Sequence, residues 1–333
     1  MTTATLEALR RQLEERQTRL RTTISNDGSE PHLVGLLLQV DSALDKLGTA
    51  DYGRCLVCDE HVDDKELRHN PLLQYCLCTL TREQQRALEQ DLELARRIQA
   101  GLLPDPRLRA AGWEASYHYE PAGMVSGDYC DLWRQPDDPN TVYFAVGDVA
   151  GKGVAASLLM AHLQASFRSL VGAGLPLAEL VARVNEQLVR ATIPTHYATL
   201  AFGRAGAGGE VEIVNAGHCP PLVVRAGAVE ALAPTGFPVG IVSDRPYEVT
   251  RLELRDDDAL LLYTDGLTEA ERFDGDEYGQ TRVEQLLSRR SSHTAGARQL
   301  VQAVRGDLEA FLGDAKRADD LTVMALRRAN GAG

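Results

Sequence analysis

Thr141-Val-Tyr-Phe-Ala-Val-Gly-Asp-Val-Ala-Gly-Lys-Gly153 is the stretch on which the fold turns. Residues 141–146 are apolar and β-favouring; they run into Asp148 and then into a turn carrying Gly151 and Gly153. A helix-like run, Val154-Ala-Ala-Ser-Leu-Leu-Met-Ala-His-Leu163, follows. A strand ending on a carboxylate beside a flexible backbone suits a hard cation or a phosphate. Asp148 is therefore expected at the centre of a metal site.

Outward from that stretch, the chain alternates short β-like runs with glycine-rich turns. Strands are expected near 115–119, 129–134, 197–202, 210–214, 222–225, 229–232, 247–254, 259–263 and 321–326. Helices are expected near 154–171, 177–190, 281–289 and 295–312. Strand blocks and helix blocks without regular alternation indicate an α+β fold with antiparallel sheets. Four acidic turns lie at strand boundaries: Asp128 after Gly127, Asp148 after Gly147, Asp265 before Gly266, and Asp319-Asp320 before the last strand. Clustered carboxylates raise one another's pKa, so a cluster is economical only around cations. Mg²⁺ and Mn²⁺ take oxygen ligands, and two ions sharing an aspartate can set a water against a phosphorus atom.

Composition bounds the rest. The 333 residues suffice for two domains, and 44% hydrophobic with 25% charged residues is ordinary for a globular protein. The net charge of −13 argues against direct nucleic-acid binding as the main function. No apolar run approaches the roughly 20 residues that span a bilayer, and no signal-peptide pattern opens the chain. Six cysteines, four of them clustered, fit a reducing compartment and a metal site better than a disulfide scaffold. A cytoplasmic protein without membrane attachment is expected.

Before the β-rich part come three helical segments. Residues 5–21 place Leu6, Leu9, Leu13 and Leu20 on one stripe, and the run breaks at Ser25-Asn-Asp-Gly-Ser-Glu-Pro31. Leu33, Leu37, Val40, Leu44 and Leu47 then recur at spacings of 4, 3, 4 and 3. Two such stripes predict an antiparallel helical hairpin that serves as a packing or dimerisation arm. Gly53-Arg-Cys55-Leu-Val-Cys58 is followed, after 17 intervening residues, by Cys76-Leu-Cys78. That spacing suits a four-cysteine structural zinc, with His61 as an alternative ligand; a finger held by apolar packing without metal is the other reading. Residues 81–103 form the third helix, with Thr81 and Gln84 as a capping box and Leu88, Leu92, Ala95, Ile98 and Leu102 as its stripe. It is either a linker packed on the next domain or a dimer-forming, signal-transmitting helix.

Two family resemblances emerge. The hairpin with Gly-Arg-Cys-x-x-Cys and the second cysteine pair resembles the DksA/TraR family, whose members bind RNA polymerase; it covers about residues 1–80. Further on come Ala95-Arg-Arg-Ile-Gln-x-x-Leu-Leu-Pro104, Ser126-Gly-Asp-Tyr-x-Asp131, Gly147-Asp-Val-x-Gly-x-Gly153, Asn215-Ala-Gly-His218, Tyr263-Thr-Asp-Gly-Leu-Thr-Glu269 and Asp319-Asp-Leu-Thr-Val323, in that order. This series resembles the SpoIIE/RsbU-type metal-dependent serine/threonine protein phosphatases. The resemblance implies a sandwich of two antiparallel sheets flanked by helices over residues 105–330, with residues 1–80 and a linker at 81–104 before it. It implies two Mn²⁺ or Mg²⁺ ions, with Asp148 bridging, the Val149 carbonyl adjoining, Asp265 and Asp319 on one ion and Asp128 on the other side. Asp131 and Asp320 are expected to orient ligands or waters, or else to serve as caps or turn formers. Hydrolysis of phosphoserine or phosphothreonine is implied, with a phosphorylated anti-sigma-factor antagonist as protein partner and a homodimer as the assembly. The alternative is a DksA-like regulator that binds RNA polymerase and carries a silent phosphatase fold.

This chain departs from the family pattern in places. Ser126 stands where a glycine is usual, and Ala150 and Lys152 stand where serine and histidine are usual. Lys152 is either a point-charge contact for a phosphoryl group or a solvated turn lysine. His218 is either a general acid or part of a structural turn whose imidazole bonds backbone. Cys130 and Cys219 are expected to be ordinary buried thiols.

Overall fold

The computed structural model describes residues 3–27, 31–47, 49, 51–55, 60–73, 81–192, 196–243, 245–290 and 296–329. The chain divides into two compact units, residues 1–90 and 91–333.

In the first unit, α1 (Thr3–Asp27), α2 (Pro31–Lys46) and α3 (Asp64–His69) share one small core. Leu9 and Leu13 of α1 meet Val40, Ala43 and Leu47 of α2, with Cys55, Val62 and Leu67. Of the expected stripes, Leu9, Leu13, Val40 and Leu47 belong to this core, Leu6, Leu20 and Leu44 pack against it, and Leu33 and Leu37 are not part of it. α1 continues past Ser25, where a break was expected, because serine and asparagine cost a helix only a few tenths of a kcal/mol, far less than proline does. Pro31 opens α2, a position where its missing N–H costs nothing. The unexpected α3 is capped by Asp63, whose carboxylate accepts the Lys65 N–H at 2.8 Å. Of the four proposed zinc ligands only Cys55 is described, and it is buried in the core; Cys58, Cys76 and Cys78 lie outside the described residues. His61 Nδ1 lies 2.6 Å from the Val62 carbonyl. α4 (Arg82–Leu102) follows with the expected capping box: the Thr81 N–H donates to Gln84 Oε1 at 2.8 Å, and the Gln84 N–H to Thr81 Oγ1 at 3.2 Å.

The second unit contains β1 (Arg107–Ala110), β2 (Trp113–Glu120), β3 (Asp128–Gln135), β4 (Asp138–Val149), α5 (Val154–Val171), α6 (Leu177–Ala191), β5 (Ala198–Gly206) and β6 (Glu210–Ala216). It continues through β7 (Leu222–Arg225), β8 (Ala228–Ala231), β9 (Thr250–Glu253), β10 (Ala259–Tyr263), α7 (Asp265–Thr268), α8 (Gln280–Arg290), α9 (Ala297–Leu312) and β11 (Leu321–Arg328). One sheet runs β1-β2-β11-β10-β7-β8 and the other β3-β4-β5-β6-β9; their ladders are antiparallel. β9 begins later than the pattern suggests, because the buried Tyr247 turns into the layer under α5 and α6 and the Glu248 N–H donates to the Thr235 carbonyl.

Alternation along each strand sorts side chains into layers. On β3 and β4, Tyr129, Trp133, Tyr143 and Ala145 face α5 and α6. Their neighbours Cys130, Leu132, Val142, Phe144 and Val146 face the other sheet, meeting Leu260, Leu262, Met324 and Leu326. The odd-numbered residues of β10 and β11, such as Leu261 and Val323, pack beneath α8 and α9. The result is four layers: helices, sheet, sheet, helices. α5 is apolar and long enough to cross a membrane by composition, yet its Met160, Leu163 and Phe167 are buried against the sheet, as in a core helix.

Candidate metal centre

At one end of the gap between the sheets, the apolar rows give way to polar groups without a change of parity. The row Leu132, Cys130 ends on Asp128, and the row Phe144, Val146 ends on Asp148. Asp128 and Asp148 are register partners, so both side chains leave the same face of the sheet. From the other sheet, the row Leu260, Leu262 ends on Thr264, and the row Leu326, Met324 ends on Thr322. Asp265 follows Thr264 as the first residue of α7, and Asp319-Asp320 precede β11. Four stretches distant in sequence therefore bring Asp128, Asp148, Asp265 and Asp319 to one place.

Tight backbone approach keeps them together. A Cβ on Gly266 would lie 1.8 Å from the Asp320 carbonyl oxygen, so only glycine lets the Asp265 turn seat against the start of β11. A Cβ on Gly127 would come within 3.1 Å of the Val149 carbonyl oxygen and 3.4 Å of Asp148 Oδ1. The Val149 N–H donates to the Gly127 carbonyl at 3.3 Å, joining the first two aspartate turns.

The electrostatics are those of crowded carboxylates. Burial, and then the neighbouring Asp265, Asp319 and Asp320, push Asp148 up to about 8. Burial first and Asp148 second push Asp128 well above the carboxylate range. Asp265 is raised by burial and by Asp319, and Glu269 by burial and by Asp265. The Lys152 ammonium opposes the rise at Asp148, Asp265 and Glu269.

Other expected residues take more specific places. Asp320 holds the loop before β3: Oδ1 accepts the Ala122 N–H at 2.7 Å and Oδ2 the Gly127 N–H at 2.9 Å. Lys152 Nζ lies 2.9 Å from Asp319 Oδ2 and donates to the Ala318 carbonyl at 3.1 Å. It is therefore tied to a candidate ligand rather than free in solvent. Asp131 departs from its expected role of orienting ligands or waters. Its odd position turns it toward α5, where Arg168 donates to both carboxylate oxygens at 2.9 and 2.6 Å. It fastens α5 to β3 on the face away from Asp128. His218 is also structural: its backbone N–H donates to Asn215 Oδ1 at 2.8 Å, its Nδ1 lies 2.8 Å from Thr199 Oγ1, and the ring meets the Tyr263 backbone. Burial pushes its pKa down to about 4, leaving the ring neutral near pH 7. Burial also raises both thiols, Cys130 well above its ordinary range and Cys219 to about 12, as inert cysteines require.

Three contributors stand inside the sequence motifs without having been singled out there. Thr264 and Thr322 both bond Asp128. Gln99 of α4 is buried and clamps Ser126, accepting its N–H at 3.0 Å and donating to its carbonyl at 2.7 Å. Parity along β10 and β11 could have pointed to the threonines; the buried Gln99 lies inside the Ala95–Pro104 motif but on a helix that is otherwise exposed on most sides.

Among the described residues, no three His, Cys, Asp or Glu side chains already converge as a formed cation cage. The donor set nonetheless fits divalent ions. Burial and the crowding of hard carboxylates raise the pKa values of Asp128, Asp148 and Asp265, and the ammonium paired beside them among the described residues, that of the half-exposed Lys152, does not cancel the rise.

Comparison with known proteins places this geometry. The chain is 27% identical over 267 residues to Protein IcfG of Synechocystis, covering 72% of this chain and 41% of that protein. It is 25% identical over 251 residues to the phosphoserine phosphatase RsbU of Bacillus subtilis, covering 73% of this chain and 72% of the relative. The fold matches the solved SiaA-PP2C domain of Pseudomonas aeruginosa with a TM-score of 0.62 at 20% identity, over 73% of this chain and 97% of that one. The model of the family described as Stage II sporulation protein E (SpoIIE) matches residues 138–329, from the first residue of β4 to just past β11 and through three of the four aspartate turns. The chain belongs to the SpoIIE family.

Proposed function

We propose that the chain is a metal-dependent phosphoprotein phosphatase that hydrolyses phosphoserine or phosphothreonine on a regulatory protein, an anti-sigma-factor antagonist. The observation that carries this reading is the meeting of four aspartate turns at one end of the inter-sheet gap, with Asp148 pushed up to about 8 by burial and then by its neighbouring carboxylates. The name of RsbU, a phosphoserine phosphatase, supports the substrate class.

Asp128, Asp148, Asp265, Asp319 and the Val149 carbonyl would hold two Mn²⁺ or Mg²⁺ ions. Bound there, the ions would neutralise phosphoryl charge and lower the pKa of a water. The chain's own residues supply position. Asp320 fixes the loop that delivers Asp128, Gly266 lets the Asp265 turn approach it, and Lys152 places a cationic donor beside Asp319. Burial keeps His218 neutral near pH 7, and it is assigned to the structural turn rather than to proton donation.

The N-terminal unit is assigned a sensing, dimerising or docking role, in a cytoplasmic homodimer. Its cysteine pairs, Cys55 with Cys58 and Cys76 with Cys78, are assigned to a structural zinc on spacing alone; stoichiometric zinc lost in Cys55→Ser would bear this out, and its presence in the variant would refute it. The central test is Mn²⁺-dependent phosphate release from a phosphoserine peptide by the full chain. Asp148→Asn should abolish it; undiminished release would overturn the assignment.

A further inference from the structure

Asp128 is the least accessible of the four aspartates, and its surroundings are unusual for a cation ligand. It is 2% exposed, and the two threonines that reach it from the opposite sheet are fully buried. Thr264 Oγ1 donates to Asp128 Oδ2 at 3.0 Å, and Thr322 Oγ1 donates to the same oxygen at 2.5 Å. Thr264 Oγ1 also accepts the Thr322 N–H at 3.0 Å, and its single proton is then directed to the carboxylate. The Thr264 N–H in turn donates to the Thr322 carbonyl at 3.0 Å, closing a ring of bonds between the end of β10 and the start of β11.

Two hydroxyls on one oxygen break the symmetry of the carboxylate. A carboxylate free to turn about its Cβ–Cγ bond offers either oxygen to a ligand, and that freedom must be lost when a cation binds. We propose that Thr264 and Thr322 are positioning residues: their hydroxyls lock Asp128 Oδ2 to the second sheet and leave the other oxygen as the one available to a cation shared with Asp148. The arrangement also couples three aspartate turns. Thr264 precedes Asp265, Thr322 stands two residues after Asp320, and both hold the aspartate facing Asp148. The proposal rests on the metal-dependent reading above.

The two threonines are not equivalent as probes. Replacing Thr264 by valine strands the buried Thr322 N–H, so stability falls as well. Thr322 donates only to Asp128 in this ring, and valine matches its shape, so Thr322→Val removes one bond from the carboxylate and little else. The experiment is calorimetric titration of the full chain with MnCl₂, alongside thermal melts in EDTA. Thr322→Val should weaken Mn²⁺ binding by about tenfold or more while its EDTA melt stays near that of the unaltered chain. Thr322→Ser, which keeps the hydroxyl, should restore the affinity. Mn²⁺ affinity within about twofold of the unaltered chain in Thr322→Val would overturn the clamp, as would a Thr322→Ser variant as weak as the valine one. Absence of Mn²⁺ uptake by the unaltered chain would instead overturn the metal-dependent reading, and the clamp's purpose with it.

Discussion

Removing the charge of Asp148 should stabilise the metal-free protein while destroying its activity. The group's ordinary pKa of 3.8 rises to about 8 in the fold. The folded state therefore binds a proton more tightly than the unfolded chain between those values, so stability is greatest below the lower one and is lost as pH rises toward the upper one. At pH 7 the gap spans about three units, and at about 1.4 kcal/mol per unit this amounts to about 4 kcal/mol of destabilisation. Asp148→Asn cannot ionise and escapes it. For a unit of this size, a change of that order corresponds to roughly 10 °C in Tm. The assay is thermal unfolding in EDTA from about pH 5 to about pH 8. The unaltered chain should lose stability across that window, and the variant should lose much less. Mn²⁺ should restore stability to the unaltered chain and do little for the variant. A metal-free stability that rises with pH, or an Asp148→Asn variant less stable than the unaltered chain near pH 8, would refute the electrostatic reasoning.

Further predictions concern the supports around the site. Arg168→Met leaves the fully buried Asp131 without its bidentate partner and should cost about 2–3 kcal/mol in urea unfolding, with the Asp131→Leu/Arg168→Met pair recovering part of the loss. Gly266→Ala puts a methyl group 1.8 Å from the Asp320 carbonyl; phosphatase activity should disappear and stability fall by at least about 2 kcal/mol. Lys152→Met removes the cation that opposes the rise at Asp148 and Asp265, so metal-free stability near pH 8 should fall further. The effect should stay under about 1 kcal/mol, because both partners of the Lys152–Asp319 pair are about half-exposed.

Much of this site is visible in the chain as written. An aspartate beside a glycine at a strand end is a local pattern, and Asp128, Asp148 and Asp265 stand in one; Asp319 is marked instead by the Asp319-Asp320 pair before the last strand. Strand alternation is equally local, so the β3–β4 and β5–β6 hairpins and the amphipathic helices follow from it. Asp131 shows where local pattern misleads. Three residues after Asp128 on the same strand, it has opposite parity, and the motif it shares with Asp128 conceals that it serves α5 instead of the metal centre. His218 likewise sits in a motif that suggests chemistry, and its burial, a property of the assembled sheets, makes it neutral.

The amino-acid sequence by itself determined the α+β class, the order of the longer strands and helices in the second unit though not β1 or α7, and which carboxylates were candidates, because each of these depends on periodicity and turn chemistry within a few neighbouring residues. Only the tertiary structure decided which sheet each strand joined, that Thr264 and Thr322 would close on Asp128 from across the gap, and that Lys152 would pair with Asp319. Those contacts link residues more than 130 apart in the chain, and they exist because two sheets with complementary apolar faces stack so that their rows end together.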